Sequence, residues 1–291
     1  MNSKSKPLNK NIQENYQEIP LEDSDSYLSQ QNNSDLLISV IIPVYNEENS
    51  IKNVIERIPN HLNYEIIIVD DGSTDNSVLK IKEIERDNII TLQHQKNLGY
   101  GAALITGFKS ATGNIIVTLD SDGQHKPEEI ERMMEPILQN KADLVIGSRY
   151  LGNCDYRVPL LTRIGEYCVN ICILTLFRQR VGNNQNGYRC FKKDILNLLN
   201  DNIYVGMGFT TEFLFECAHK KLKILEVPIS LKPREYGSSY VNLIDVFKSF
   251  LNCIAIYYLK KYKLKINTTF IKHTINTILK MLYRIKNPHQ C

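Results

Sequence analysis

The chain has no tryptophan among its 291 residues, no uninterrupted run of 18 apolar residues and no C-x-x-C pair. A membrane-spanning helix needs about 20 predominantly apolar residues, so none is expected. The opening MNSKSKPLNK lacks the apolar core of a signal peptide, and no secretion is expected either. Seven cysteines, at 154, 168, 172, 190, 217, 253 and 291, are scattered without zinc-ligand spacing, which suits free thiols in a reducing cytosol. The G-x-x-x-x-G-K-[ST] phosphate loop is missing too; Asn97-Leu98-Gly99-Tyr100-Gly101 offers glycines where backbone could approach a phosphate, a weak signal alone. Acidic residues stop at Asp245. Nine lysines and arginines stand beyond it, from Lys248 to Lys286, so the net charge of +3 hides a negative body and a basic terminus. Such a terminus suits a polyanion, either a membrane surface or nucleic acid, or else stays solvated.

Present instead is an ordinary globular composition, 43% apolar and 23% charged, ample for a core. Residues 1–36, rich in Asn, Ser, Gln and Glu, read as a disordered leader. From Leu37 short β-branched runs begin: LLISVIIPVY, YEIIIVDD, NIITLQH, NIIVTLD and ADLVIGS. Between the first two, Ile51, Val54, Ile55 and Ile58 recur at helical spacing, and Gly101–Ser110 reads as helical between the third and fourth. Apolar strands alternating with helices predict an α/β fold, a mostly parallel sheet covered on both faces. Ligands of such sheets bind at the carboxyl ends of the strands.

Those ends carry polar clusters: Pro43-Val44-Tyr45-Asn46-Glu47, Asp70-Asp71-Gly72-Ser73-Thr74-Asp75 and Asp120-Ser121-Asp122-Gly123-Gln124. Asp120 and Asp122, two apart at a strand end, point to the same side, where two like charges repel unless a cation lies between them. Carboxylates completed by substrate phosphates are the usual setting for Mg2+ or Mn2+; a solvated turn is the plainer reading of D-x-D. In the second cluster a carboxylate could accept from a base or ribose, while Ser73, Thr74 and Asp75 each suffice as a helix N-cap.

VIIPVYNEE, VDDGSTD, NLGYGAAL, LDSDGQH, GSRY, NQNGYRCF and EVPISLKPREYGSS, in that order, resemble glycosyltransferase family 2, in particular its polyprenyl- and dolichyl-phosphate hexose synthases, over roughly residues 38–245. The resemblance implies a GT-A type domain, here 37–240, and transfer of a hexose from a GDP- or UDP-linked donor to a lipid phosphate by metal-assisted inverting displacement. By position it implies nucleotide contacts from Pro43, Tyr45, Glu47, Val69 and Asp71. Asp120, Asp122, Ser121 and Gln124 become the metal and diphosphate site, with Asp120 and Asp122 as metal ligands and Asp122 also catalytic. Arg149, Arg163 and Arg234 fall where the family places arginines around donor and acceptor phosphates, Arg163 and Arg234 in catalysis. The chain departs from many relatives at Asn183, where they carry Asp, and at Tyr240, where they carry Lys; Lys232 is a candidate substitute for the latter.

A sugar hydroxyl acceptor would need a general base, for which Glu212 in GFTTEFLFE is the candidate. A lipid phosphate arrives anionic and needs positive charge instead, which arginine supplies bidentately. Without tryptophan the Q-x-x-R-W signature of processive polysaccharide synthases is absent. Two other classes were weighed: a non-catalytic nucleotide-sugar-binding protein, suggested by Asn183 and Tyr240, and a nucleic-acid module using the basic tail, which shows no RNA-binding motif. Residues 241–291 read as a basic tail of amphipathic helices. One stripe is Ile244, Phe247, Leu251, Ile254 and Tyr258; the other is Ile271, Ile275, Ile278, Leu282 and Ile285. Such helices lie on an anionic membrane surface or dock on the domain or on a partner subunit. The enzyme is therefore expected in the cytoplasm, peripheral on the membrane, without a nucleic-acid partner.

Overall fold

The computed structural model describes residues 36–155, 158–198, 208–234 and 236, with Leu251, Ile254 and Tyr257 beyond them. Strands β1 (Ile38–Val44), β2 (Tyr64–Asp70), β3 (Ile89–Gln93), β4 (Ile115–Thr118), β5 (Leu144–Ser148), β6 (Arg189–Lys192) and β7 (Ile224–Pro228) form one sheet in the order β3-β2-β1-β4-β6-β5-β7. Helices α1 (Ile51–Glu56), α2 (Ser77–Lys82), α3 (Tyr100–Ser110), α4 (Ile130–Leu138), α5 (Leu160–Phe177) and α6 (Phe209–His219) connect them. β3, β2, β1 and β4 pair in parallel, as do β5 and β7. β6 alone runs backwards, antiparallel to both β4 and β5.

The expected α/β sandwich is observed, and the side-chain period of two explains its layers. Ile38, Val40, Ile42 and Val44 of β1 point into one core with Ile55 of α1, Ile81 of α2 and Met133 and Ile137 of α4. Ile41 points to the other, with Ala103 and Phe108 of α3, Ile173 of α5 and Phe213 of α6. Pro43 is tolerated in this central strand for a geometric reason. The carbonyl of Ile41 accepts from Leu119 on the β4 side and that of Val44 from Asp71 on the β2 side, so Pro43 faces β4. That ladder ends at Ile41–Thr118, as it must where the next residue facing β4 has no amide hydrogen to give.

After β7 the segment Ile229–Arg234 crosses the carboxyl edge. Leu231 bridges both His125 and Cys154, Ser230 N–H donates to the Glu129 carboxylate at 2.9 Å, and Lys232 N–H donates to Gln124 O at 3.0 Å. The leader and nearly all of the basic tail lie outside the described residues. Of the tail, Leu251, Ile254 and Tyr257 are half-buried helical positions, and the Tyr257 ring packs edge-on against Phe177 of α5 at 5.2 Å.

Candidate active site

The loops after β1 and β2 are laced together. Asn46, in the left-handed region at φ 55°, donates its N–H to Ser73 Oγ (2.9 Å) and accepts from Thr74 N–H on Oδ1 (2.8 Å). Glu48 N–H donates to Asp75 Oδ2 at 3.1 Å, and Asn76 N–H donates to the Glu48 carboxylate at 3.0 Å. Asp75 also accepts from the N–H and hydroxyl of Ser77 at 2.9 and 2.6 Å. The N-cap of α2 is Asn76, without a side-chain cap bond; of the three candidates Asp75 takes the first helical N–H from the position before it, and Ser73 and Thr74 serve Asn46.

Two residues that the resemblance assigns to the nucleotide have side chains engaged within the fold. Val69 is wholly buried in the core against Gly107 of α3, because its position in β2 points it away from the edge. Asp71 is 3% exposed. Its Oδ1 accepts from Leu98 N–H at 2.9 Å and lies 2.7 Å from His94 Nδ1, and its Oδ2 accepts from Gly99 N–H at 2.8 Å. The carboxylate therefore holds the 97–99 turn in place. Gly72 is required beside it: at φ 73°, a Cβ would lie 2.5–2.8 Å from the backbone of Lys96 and Asn97.

The carboxylates that do gather at the edge are Glu47, Asp120 and Asp122. Asp120 Oδ1 accepts from the Tyr100 hydroxyl at 2.9 Å, and Oδ2 lies 3.6 Å from His125 Nδ1. Asp122 Oδ1 accepts from Gln124 N–H at 3.1 Å, and Oδ2 lies 3.6 Å from Arg234 Nη1. Arg234 Nη2 donates to Glu47, whose other oxygen accepts from Ser50 Oγ at 2.9 Å. Gln124 donates its amide to Lys232 O at 3.0 Å, fixing the strap that carries Arg234. Ser121 is buried and Tyr45 half-buried beside these loops. Burial, reinforced by the charge of Asp120, holds the Asp122 carboxyl above its usual range. Burial also raises Glu47, against the pull of Arg234.

His125, Tyr100 and Gly187 were missed in the sequence. His125 is buried against the Tyr188 ring, and its Nδ1 has no hydrogen-bond partner. Its position three residues after Asp122 was the available signal. A Cβ at Gly187, next to β6, would lie 2.4–2.7 Å from both Asp120 oxygens and the Tyr100 hydroxyl, so a side chain there would push them aside.

Arg149 follows β5 on the same edge and belongs to a second, buried cluster. Its Nε and Nη2 both donate to Asn183 Oδ1, at 3.0 and 2.9 Å, and Nη2 also donates to Glu166 of α5 at 3.0 Å. Tyr150 donates its hydroxyl to the other Glu166 oxygen. Asn183 is fully buried, its amide on Gly147 O at 3.1 Å, so it accepts from Arg149 without adding a charge. Arg163 is exposed on α5, one turn from Glu166. Glu212 is buried near the start of α6.

A mostly parallel sheet clad on both faces, with carboxylates gathered at its carboxyl edge, is the architecture of GT-A sugar-nucleotide transferases. The chain belongs to glycosyltransferase family 2, whose model matches residues 39–213, and it is an enzyme of that family. It is 35% identical over 243 residues to the UDP-N-acetylglucosamine–dolichyl-phosphate N-acetylglucosaminyltransferase of Methanococcus voltae, covering 77% of this chain and 97% of that protein. To the dolichol-phosphate mannosyltransferase of Pyrococcus furiosus it is 32% identical, over 72% of this chain and 61% of that one. Glucosyl-3-phosphoglycerate synthase of Mycobacterium tuberculosis, solved with Mn2+, UDP and glucosyl-3-phosphoglycerate, shares the fold with a TM-score of 0.61 at 21% identity, over 79% and 82% of the two chains.

Proposed function

We propose that the enzyme transfers a hexose or N-acetylhexosamine from a UDP- or GDP-linked donor to a polyprenyl or dolichyl phosphate, at the cytoplasmic face of a membrane. The observation that carries this is Arg234, held across Glu47 and Asp122 where the strands end. It puts a phosphate-binding fork beside the carboxylates that suit a cation. The names of both archaeal relatives point to the same acceptor class.

What supports a divalent ion here is a pair of carboxylates that repel each other, Asp120 and Asp122, to be completed by the donor's phosphates, since among the described residues no three His, Cys, Asp or Glu side chains group as a metal site. A glucosyl-3-phosphoglycerate synthase solved with Mg2+ and UDP agrees in fold. When bound there, the cation neutralises the leaving diphosphate as a Lewis acid. Glu47, Gln124 and the 45–50 loop border the donor; Arg234 and Arg163 hold the acceptor phosphate. An acceptor phosphate oxygen forms the new bond at the anomeric carbon while the bond to the diphosphate oxygen breaks, and the nucleoside diphosphate leaves with the electron pair. No base is needed, because the nucleophile arrives deprotonated.

The test is a panel of UDP- and GDP-sugars offered with polyprenyl phosphate or with the corresponding polyprenol. Glycolipid should form from the phosphate alone. Transfer to the alcohol or to a glycan hydroxyl, with none to the phosphate, would return the reaction to a base-dependent route.

A further inference from the structure

Helix α5 is apolar on two opposite sides. Glu166, Val169 and Ile173 are buried against the sheet. Leu160, Ile164, Tyr167 and Ile171 fall within an arc of roughly 60° on the far side, at 3.6 residues per turn, and are 71%, 49%, 65% and 37% exposed. A surface helix ordinarily turns a polar face outward, and one that is apolar all round needs a second apolar neighbour.

We propose that this outer stripe of α5 seats the enzyme on an anionic lipid bilayer. Charge complementarity favours that occupant. The only acid in residues 158–180 is Glu166, which is buried and paired with Arg149, whereas Arg163, Arg178 and Arg180 are exposed. Apolar side chains flanked by arginines, with no exposed acid, are what an anionic interface takes up. A second copy of the chain is a poorer fit, because four side chains on three turns fall far short of the about 20–30 residues a side of a stable interface. Beyond α5 the tail carries no acidic residue after Asp245, and its Tyr257 packs on Phe177, on the core-facing side of the helix. Resting on the lipid-phosphate reading, this placement sets Arg163 at headgroup level, on the helix that also carries the Glu166 partner of Arg149. The acceptor phosphate then enters from the membrane plane.

The absence of tryptophan supplies the test. Tyr167→Trp in the full chain introduces the sole indole at the centre of the stripe, on an exposed position that leaves the core unaltered. With vesicles of phosphatidylcholine and phosphatidylglycerol its emission should shift to the blue and be quenched severalfold by lipids brominated on the acyl chains. Ile164→Glu in the same background should abolish both responses. An unshifted spectrum while the protein co-sediments with the vesicles would assign attachment to the tail alone and overturn the proposal. So would failure to bind vesicles at all. Blue emission without lipid would overturn it as well: if concentration-dependent, the stripe joins two copies; if not, the chain covers it itself. The readout needs no substrate, so a wrong acceptor assignment would leave it standing and be exposed separately by the polyprenol comparison.

Discussion

Asp122 carries its charge at a cost to the fold. Its carboxyl is raised by burial and by Asp120, so the native state resists its ionisation and loses stability as pH rises from the ordinary value of 3.8 through the raised one. Asp122→Asn removes that burden. Without added metal at pH 7.5 its melting temperature should equal or exceed the wild type's, while the rise produced by Mn2+ disappears and transfer falls on the order of 100-fold or more. Thermal unfolding with EDTA and with Mn2+, beside an activity assay, checks all three. A variant that melts lower and still gains stability from Mn2+ would show the carboxylate to be structural. Gly187→Ala should disturb the same site sterically. Its Cβ meets the Asp120 carboxylate and Tyr100 hydroxyl, so a destabilisation of about 1–3 kcal/mol is expected, together with loss of transfer. Arg234→Ala should lower kcat/KM for the lipid phosphate about tenfold to a hundredfold through a lost charge-assisted contact, with Arg234→Lys recovering only part of it. Steady-state kinetics with varied acceptor decides the matter.

At the scale of elements, the end of the sheet opposite the site is fastened by Glu65. Its carboxylate accepts from the Ser39 hydroxyl, from Thr112 N–H at 2.6 Å and Thr112 Oγ1 at 2.8 Å, and from Gly113 N–H at 3.0 Å. Burial alone would raise this carboxyl, but the hydrogen bonds outweigh it and leave it below its ordinary value of 4.5. A lowered native pKa means stability present above 4.5 and lost as pH falls toward the native value. Glu65→Gln should therefore cost about 1 kcal/mol at pH 7, a small figure because the group is partly solvated, and the deficit should shrink below pH 4.5. Denaturant midpoints at pH 7 and pH 4 measure it. How legible each element was in the sequence follows from its surroundings. β1, β2, β4 and β5 are apolar runs because both their faces are covered, and α1 and α3 show one-sided periodicity. β6 hid because it is four residues long and begins with a buried arginine, Arg189, whose guanidinium bonds three carbonyls. α5 hid because, apolar on two sides, it shows no single face. The inward turn of the Asp71 and Val69 side chains was not legible, because a motif gives a residue's position, not the direction of its side chain.

For the whole molecule, the membrane seat proposed on α5 and the basic tail expected from the sequence would share attachment between apolar contact and charge. Deleting residues 262–291 should remove the salt-sensitive part of vesicle binding, since each engaged basic residue contributes about 1 kcal/mol at most and is screened by salt. Binding through α5 should remain at high salt. Co-sedimentation of both chains at low and high salt separates the two, and equal salt dependence would refute the tail's share. The backward strand has a different consequence, for the order of folding. β1 pairs with β4 across 77 residues, Ile38 on Ile115, and β6 must reach back over 70 more to register Arg189 on Thr118 and Cys190 on Val117. Loop closure of that length is slow. Until β6 docks, the apolar flank of β4 stands open as an unpaired edge, and Gly187 has not met Asp120. The docking of β6 and the assembly of the catalytic edge are therefore one event: in a refolding experiment, protection of the β6 amides should coincide with the first appearance of Mn2+ binding, and aggregation should be worst just before it.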